Sequence, residues 1–387
     1  MLKLLTRMLA NLGYSSVSTF DNGYSALEQV DDSEQTPDLI LLDLNMPNMD
    51  GVEFSRHLVE HGYAGALILV SGEDERMQQS VEKLVQAHGI QVLGHLQKPP
   101  APEGLAALLE KWMLQAPISV RAMKKEYPAD EVRTAIFNGE LINYYQPQVA
   151  VATGEVVGVE SLVRWRHPRD GIVFPDQFIG VAEAHGLIDD LTRVVLSAAL
   201  AQSRLWEEGG VKLRVAINLS MDNLATLDFA DFVAAQTLAA GVSPQNIVLE
   251  VTESQLMHDA RAPLEILTRL RLKRFGLSID DFGTGNSSLA QLRDIPFGEL
   301  KIDRSFVHGA CSNDTLRALF DSSLSLAKQL GMEALAEGVE DQADWNFLRK
   351  TECDLAQGYF IAKPMPAEAM VAWIEGWQER GRNDYRG

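Results

Sequence analysis

Leu277-Ser-Ile-Asp280-Asp281 is a short apolar run that closes on two acids. A run of this length suits a strand buried on both faces of a parallel sheet. A polar residue at the carboxyl end of such a strand is where α/β sheets and barrels keep their chemistry. The habit recurs along the chain. Residues 156–165 carry Glu160, 213–219 end in Asn218 and 247–251 contain Glu250. Residues 299–303 carry Lys301 and Asp303, 333–337 end in Glu337 and 355–360 carry Gln357. Unrelated solvated strand ends would account for a few of these residues; the whole set predicts one convergent site. About eight strand candidates in roughly 245 residues come close to the ~250 of a (β/α)8 barrel.

Upstream, residues 2–12 read as an amphipathic helix with Leu2, Leu5 and Leu9 on one face and Gly13 as its stop. Residues 14–20 read as a strand and 23–30 as a helix. Asp38-Leu-Ile-Leu-Leu-Asp43 repeats the buried-strand pattern, as do residues 65–71, ending in Ser71, and 92–96, followed by Lys98-Pro99. Residues 1–115 therefore read as an open α/β sheet. Residues 116–131 mix charge and proline as a linker does, 132–378 form the barrel, and the charged, Gly-rich 379–387 is a frayed tail.

The 387 residues carry a formal net charge of −20, with 46% hydrophobic and 23% charged residues. That balance is globular, and its acidity argues against DNA or general nucleic-acid binding, which needs a basic face. No apolar run reaches the ~20 residues that cross a bilayer. Two cysteines, Cys311 and Cys353, make no disulfide scaffold and read as free thiols in a reducing cytoplasm. Such acidity is compatible with a phosphate substrate only if cations are supplied locally. Glu160, Asn218, Glu250, Asp280, Asp281 and Glu337 are hard oxygen donors with no His or Cys among them, a set that suits Mg2+ or Mn2+ and not Zn2+. The candidate carboxylates exceed what one Mg2+ takes from protein, which predicts two ions ~3.5–4 Å apart and an in-line phosphoryl displacement. Lys301 is the cation expected beside the nucleophile. His167 reads as a packing or capping residue.

These residues carry a resemblance. Glu160-Ser161-Leu162-Val163-Arg164-Trp165 looks like the signature of the EAL family. Tyr144-Tyr-Gln-Pro147, Glu250-Val-Thr-Glu253, Asp280-Asp-Phe-Gly-Thr-Gly-Asn-Ser-Ser-Leu289, Lys301-Ile-Asp303, Ala336-Glu-Gly-Val-Glu340 and Gln357-Gly-Tyr359 match its other motifs in order. The resemblance implies a (β/α)8 phosphodiesterase that cuts cyclic di-GMP to linear pGpG with two Mg2+ or Mn2+ ions, inhibited by Ca2+. It implies catalytic roles for Glu160, Lys301 and Glu337, and metal ligation by Glu160, Asn218, Glu250, Asp280, Asp281 and Glu337. Gln146, Leu162, Arg164, Asp303 and Gln357 become substrate contacts, and Glu253 anchors the loop after Asp281. Ser161 departs from the alanine of the motif and Asn286 from its usual tyrosine.

The front of the chain resembles a flavodoxin-like, CheY-like receiver. Asp43 then corresponds to the phosphoacceptor, with Ser71 and Lys98 as the switch pair and a cis bond to Pro99. Receivers begin with a strand ending in an acidic pair that helps bind Mg2+; this sequence starts at the helix after it, which predicts a sheet without its first strand and poor phosphorylation. Expected partners are cyclic di-GMP, a sensor histidine kinase or phosphotransfer protein, and a second copy of the chain in a homodimer or higher homo-oligomer. Two other classes stand beside the enzyme: a catalytically silent cyclic di-GMP receptor, and a metallophosphoesterase with another substrate.

Overall fold

The computed structural model describes residues 1–14, 16–30, 36–63, 65–72, 75–87, 89–114, 127–252, 261–283 and 289–384. The chain divides into two compact units, Met1–Ala122 and Met123–Gly387.

The first unit holds a parallel sheet ordered β1 (Leu39–Asp43), β2 (Ala66–Ser71), β3 (Gln91–Gln97). Alternation along the central strand β2 explains its continuous apolar run. Leu67 and Leu69 face one layer with Leu27, Phe54 and Leu58, whereas Ile68 and Val70 face the other with Leu5, Leu9 and Leu105. Residues 14–20, expected as a strand, form none among the described residues. Among the described residues β1 pairs only with β2. In the 2-1-3-4-5 strand order a segment at 14–20 would pair with a strand lying between it and β1. No such neighbour is present among the described residues, and extended backbone there has no ladder to join.

The second unit is a closed eight-stranded barrel of β4 (Leu141–Ala150), β5 (Val156–His167), β7 (Arg214–Asn218), β8 (Ile247–Thr252), β9 (Gly276–Phe282), β10 (Glu299–Ile302), β11 (Glu333–Ala336) and β12 (Leu355–Ala356). Short edge strands β6 (Gly171–Val173) and β13 (Met365–Pro366) extend it. One departure from the expected (β/α)8 pattern is β4, which runs antiparallel to both β5 and β12. Only Val151–Glu155 separates β4 from β5, with Gly154 at φ 70°. So short a connection can only fold back as a hairpin; a parallel crossover needs a dozen or more residues. Helices cover the outside, and Trp165, Phe178, Phe229, Phe275 and Phe320 are fully buried between them and the strands, each worth about 1.5–3 kcal/mol in burial.

Helix starts and ends shift two expected boundaries. The helix Ala129–Asn138 begins inside the expected linker, of which residues 116–126 lie outside the described residues, and the last helix, Ala367–Asp384, runs through most of the expected tail. No described helix is long and apolar enough to cross a membrane.

Candidate active site

The strand ends converge as their spacing predicts. Parallel pairing sets Glu160 beside Ala216, Asn218 beside Glu250, and Thr252 beside Asp280, so the acids of successive strands meet at one mouth. At its centre lies Lys301, 0% exposed, an unusual burial for a lysine unless it is paired. Its Nζ is 2.8 Å from Glu337 Oε1, 3.1 Å from both Glu250 Oε2 and Asp280 Oδ1, and 3.7 Å from Glu160 Oε2. Four carboxylates around one ammonium leave a surplus of negative charge away from water.

The carboxylates differ in how that charge is offset. Burial works to raise the Glu160 carboxyl. The Lys301 charge and hydrogen bonds from Gln357 Nε2 (2.6 Å) and Asn218 Nδ2 (2.8 Å) outweigh it and hold the group below its ordinary range. Among the described residues Glu250 has no amide donor of this kind, only Lys301 Nζ at 3.1 Å. Burial first, against the pull of Lys301, and then the neighbouring Glu160 and Asp280 charges push it well above the usual value. Burial and the same neighbours push Glu337 up to about 8, despite Lys301. Burial and then Asp280 push Asp281 up to about 6. Burial would lower Lys301, but the charges of Asp280, Glu160, Glu250 and Glu337 keep it protonated well above its ordinary range.

This donor set fits divalent cations. Glu250 Oε1 is a buried oxygen with no hydrogen-bond partner among the described residues, an arrangement that costs about 1–3 kcal/mol unless something is bound there. Two groups of oxygens lie close enough to share an ion: Glu160, Glu250 and Asp280, and Asp280, Asp281 and Glu337. All are hard donors of the Mg2+ or Mn2+ type. Asp281 has φ 54°, a left-handed conformation costing a non-glycine residue about 1–3 kcal/mol and common where function dictates the backbone.

Around Glu160 runs a chain of amides. Gln357 Nε2 also donates to Gln146 Oε1 at 3.1 Å, and Gln357 Oε1 accepts from Gln148 Nε2 at 3.1 Å. Gln146 Nε2 donates to Ala362 O at 3.0 Å. Sequence reasoning missed Gln148. It follows Gln146 by two residues on β4, and that period of two, read as strand alternation, would have put both amides inside the barrel. Gly358, beside Gln357, lies against the backbone of Val339, where a Cβ would collide.

The remaining site residues fall in different places. Arg164 is buried on β5, and Leu162 is partly buried beside it. Asp303 caps the helix Arg304–Val307, its Oδ1 accepting from Ser305 N at 2.9 Å. Glu253 and Asn286 lie outside the described residues. His167 is buried, and its Nδ1 accepts from Asp170 N at 3.1 Å, capping a turn. Cys353 is buried and Cys311 partly exposed, both as free thiols. In the first unit Asp43 ends β1, and Lys98 Nζ lies 2.6 Å from both of its oxygens. Lys98 N donates to the carbonyl of Ser71 at 2.8 Å, and the Lys98-Pro99 bond is cis.

Comparison with known proteins agrees with this division. A family model described as EAL domain matches residues 129–364, and one described as response regulator receiver domain matches residues 1–110. The chain is 34% identical to the Pseudomonas aeruginosa protein named cyclic di-GMP phosphodiesterase RocR, over 88% of this chain and 87% of that one. It is 40% identical to the cyclic di-GMP phosphodiesterase NbdA of the same organism, over 67% of this chain and 33% of that much longer protein. A solved structure described as PaMucR phosphodiesterase, c-di-GMP complex, superposes with a TM-score of 0.60 at 40% identity, covering 62% of this chain and 98% of the other.

Proposed function

Because the chain belongs to the EAL family and carries a response regulator receiver domain, we propose that it is a cyclic di-GMP phosphodiesterase yielding linear pGpG, answering to phosphorylation at Asp43. The observation that carries the catalytic half is the ring of four carboxylates around buried Lys301. A silent receptor would have no need to hold that much unpaired negative charge out of water.

Two Mg2+ or Mn2+ ions, held by Glu160, Asn218, Glu250, Asp280, Asp281 and Glu337, would supply Lewis-acid charge and an activated water for in-line attack. The chain's own residues hold and orient. Gln357 and Asn218 fix the carboxylate of Glu160 by donating to separate oxygens. Lys301 is held as an ammonium by its neighbours, so its Nζ donates to the attacking water or a phosphoryl oxygen and does not serve as a base. Glu160, Lys301 and Glu337 are the catalytic residues of this reading. Gln146, Leu162, Arg164, Asp303 and Gln357 contact the substrate. Purified protein with Mg2+ and cyclic di-GMP should form pGpG; tight binding without turnover would make it a receptor instead, and the absence of both binding and turnover would sink the cyclic di-GMP reading altogether.

Activity should require Mg2+ or Mn2+ and fail in Ca2+, which prefers longer and looser oxygen coordination. Protons compete with metal for carboxylates of raised pKa. Because Asp281 sits at about 6 and Glu337 at about 8, both hold protons below those values and lose them above. The half-activating Mg2+ concentration should therefore fall as the pH rises from about 6 to about 8. A constant value across that range would remove these two residues from the ligand set.

In the first unit, a small acyl phosphate with Mg2+ should label the chain poorly, and only at Asp43, whose oxygens Lys98 already holds. Asp43→Asn should take up none. Labelling that survives the substitution would place the acceptor elsewhere.

A further inference from the structure

The strand that brings Glu160 to the mouth continues beyond it as an overhang. β5 runs on to His167 between two antiparallel neighbours, β4 and β6. Side chains alternate along a strand, so Glu160, Leu162 and Arg164 share one face. Residues directly opposite across an antiparallel pair lie on the same face. Gln146 is opposite Glu160 and Tyr144 is opposite Leu162. Trp165 pairs with Val173, the last pair of that ladder, and the extended Phe174 that follows brings its ring over Arg164. One face thus bears the site carboxylate at one end and, four residues or ~13 Å along the strand, an arginine flanked by aromatic rings.

The arginine is held fast. Arg164 is 7% exposed, and its Nη1 donates to Val163 O at 2.8 Å. Its guanidinium carbon lies 5.0 Å from the ring centroid of Phe174 and 5.7 Å from that of Tyr144. Phe174 itself is 53% exposed. A lone exposed phenylalanine means little. An exposed ring laid on a desolvated guanidinium, on the face that carries Glu160, has the composition of a nucleotide-binding rim: a cation for phosphate beside an aromatic surface for a base. In a chain of net charge −20, such a fixed cation is also what draws an anionic ligand to this side of the mouth.

We propose that Phe174 is a specificity-determining residue that stacks a guanine base of the cyclic dinucleotide while Arg164, steadied by the Phe174 and Tyr144 rings, faces the phosphodiester. This rests on the cyclic di-GMP reading of the site. It deepens it by making the preference for a base-bearing phosphodiester a property of one exposed ring, outside the metal-binding acids.

The test compares the full chain with Phe174→Ala and Phe174→Trp. Affinity for cyclic di-GMP is read by calorimetry in Ca2+. Turnover in Mg2+ is read with cyclic di-GMP and with the base-free diester bis(4-nitrophenyl) phosphate. Phe174→Ala should weaken cyclic di-GMP binding about five- to a hundredfold, the range of a lost base stack, and raise KM by a similar factor with kcat within about twofold. Phe174→Trp should bind as the unaltered chain does, and hydrolysis of the base-free diester should be the same in all three. Unchanged binding in Phe174→Ala, equal loss on both substrates, or a tryptophan variant as weak as the alanine one would overturn the proposal. An unaltered chain that binds but does not hydrolyse refutes the phosphodiesterase reading alone, because the calorimetric comparison still decides Phe174. Failure of the unaltered chain to bind cyclic di-GMP at all refutes both.

Discussion

Glu160→Ala should abolish hydrolysis of cyclic di-GMP while the barrel stays folded. Glu160 is the carboxylate on which most of the site's order depends: Asn218, Gln357 and Lys301 all converge on it. Removing only an outer partner of a metal ligand costs ~10–100-fold, and removing the ligand itself should cost more than that. Stability should change little. The substitution deletes one buried negative charge from a set that carries too many, which offsets the loss of two hydrogen bonds. The comparison is pGpG formation at saturating Mg2+ set beside a thermal unfolding curve. Turnover like that of the unaltered chain, in protein with an unchanged curve, would take Glu160 out of the metal-binding group.

Lys301→Ala should lower kcat by ~10²–10³, as removal of a contact to transition-state charge does, with KM altered far less. It should also have a second signature that Glu160→Ala lacks. Lys301 is the cation within 4 Å of Glu160, Glu250, Asp280 and Glu337 alike. Deleting it leaves those buried charges uncompensated, and breaking a buried ion pair from one side costs about 3–5 kcal/mol. The metal-free variant should therefore unfold at a clearly lower temperature, and Mg2+ should restore much of the difference by mass action. If the kinetic loss lay wholly in KM, Lys301 would be a contact to bound substrate and its assignment to the reacting water would be wrong.

The seven polar strand ends were legible because a buried parallel strand admits a polar side chain only where a site requires one. Glu160, Asn218, Glu250, Asp280, Lys301, Glu337 and Gln357 stand out against apolar runs for that reason. Gln148 did not stand out, although its spacing of two from Gln146 puts both amides on one strand face. Only barrel closure, which points β4 inward at Gln357, assigns it a partner. Residues 14–20 show the opposite failure. Tyr14, Val17, Thr19 and Phe20 are strand-favouring types, but a strand is a pairing and not a property of one segment, and no partner is present among the described residues to hold it extended.

The sequence by itself determined the class of chemistry. Hard oxygen donors at strand ends, one lysine among them and an acidic surface admit few functions other than metal-assisted work on a phosphate. It also determined the two-part organisation, because apolar period and strand spacing are local quantities. The tertiary structure alone decided which carboxylates lie close enough to share an ion, that Lys301 is fully buried among four of them, and that Phe174 lies over Arg164. It decided too that β4 enters the barrel reversed. The reason is physical: charge coupling and stacking depend on separations of a few ångströms between residues far apart in the chain, and those separations exist only once the barrel has closed.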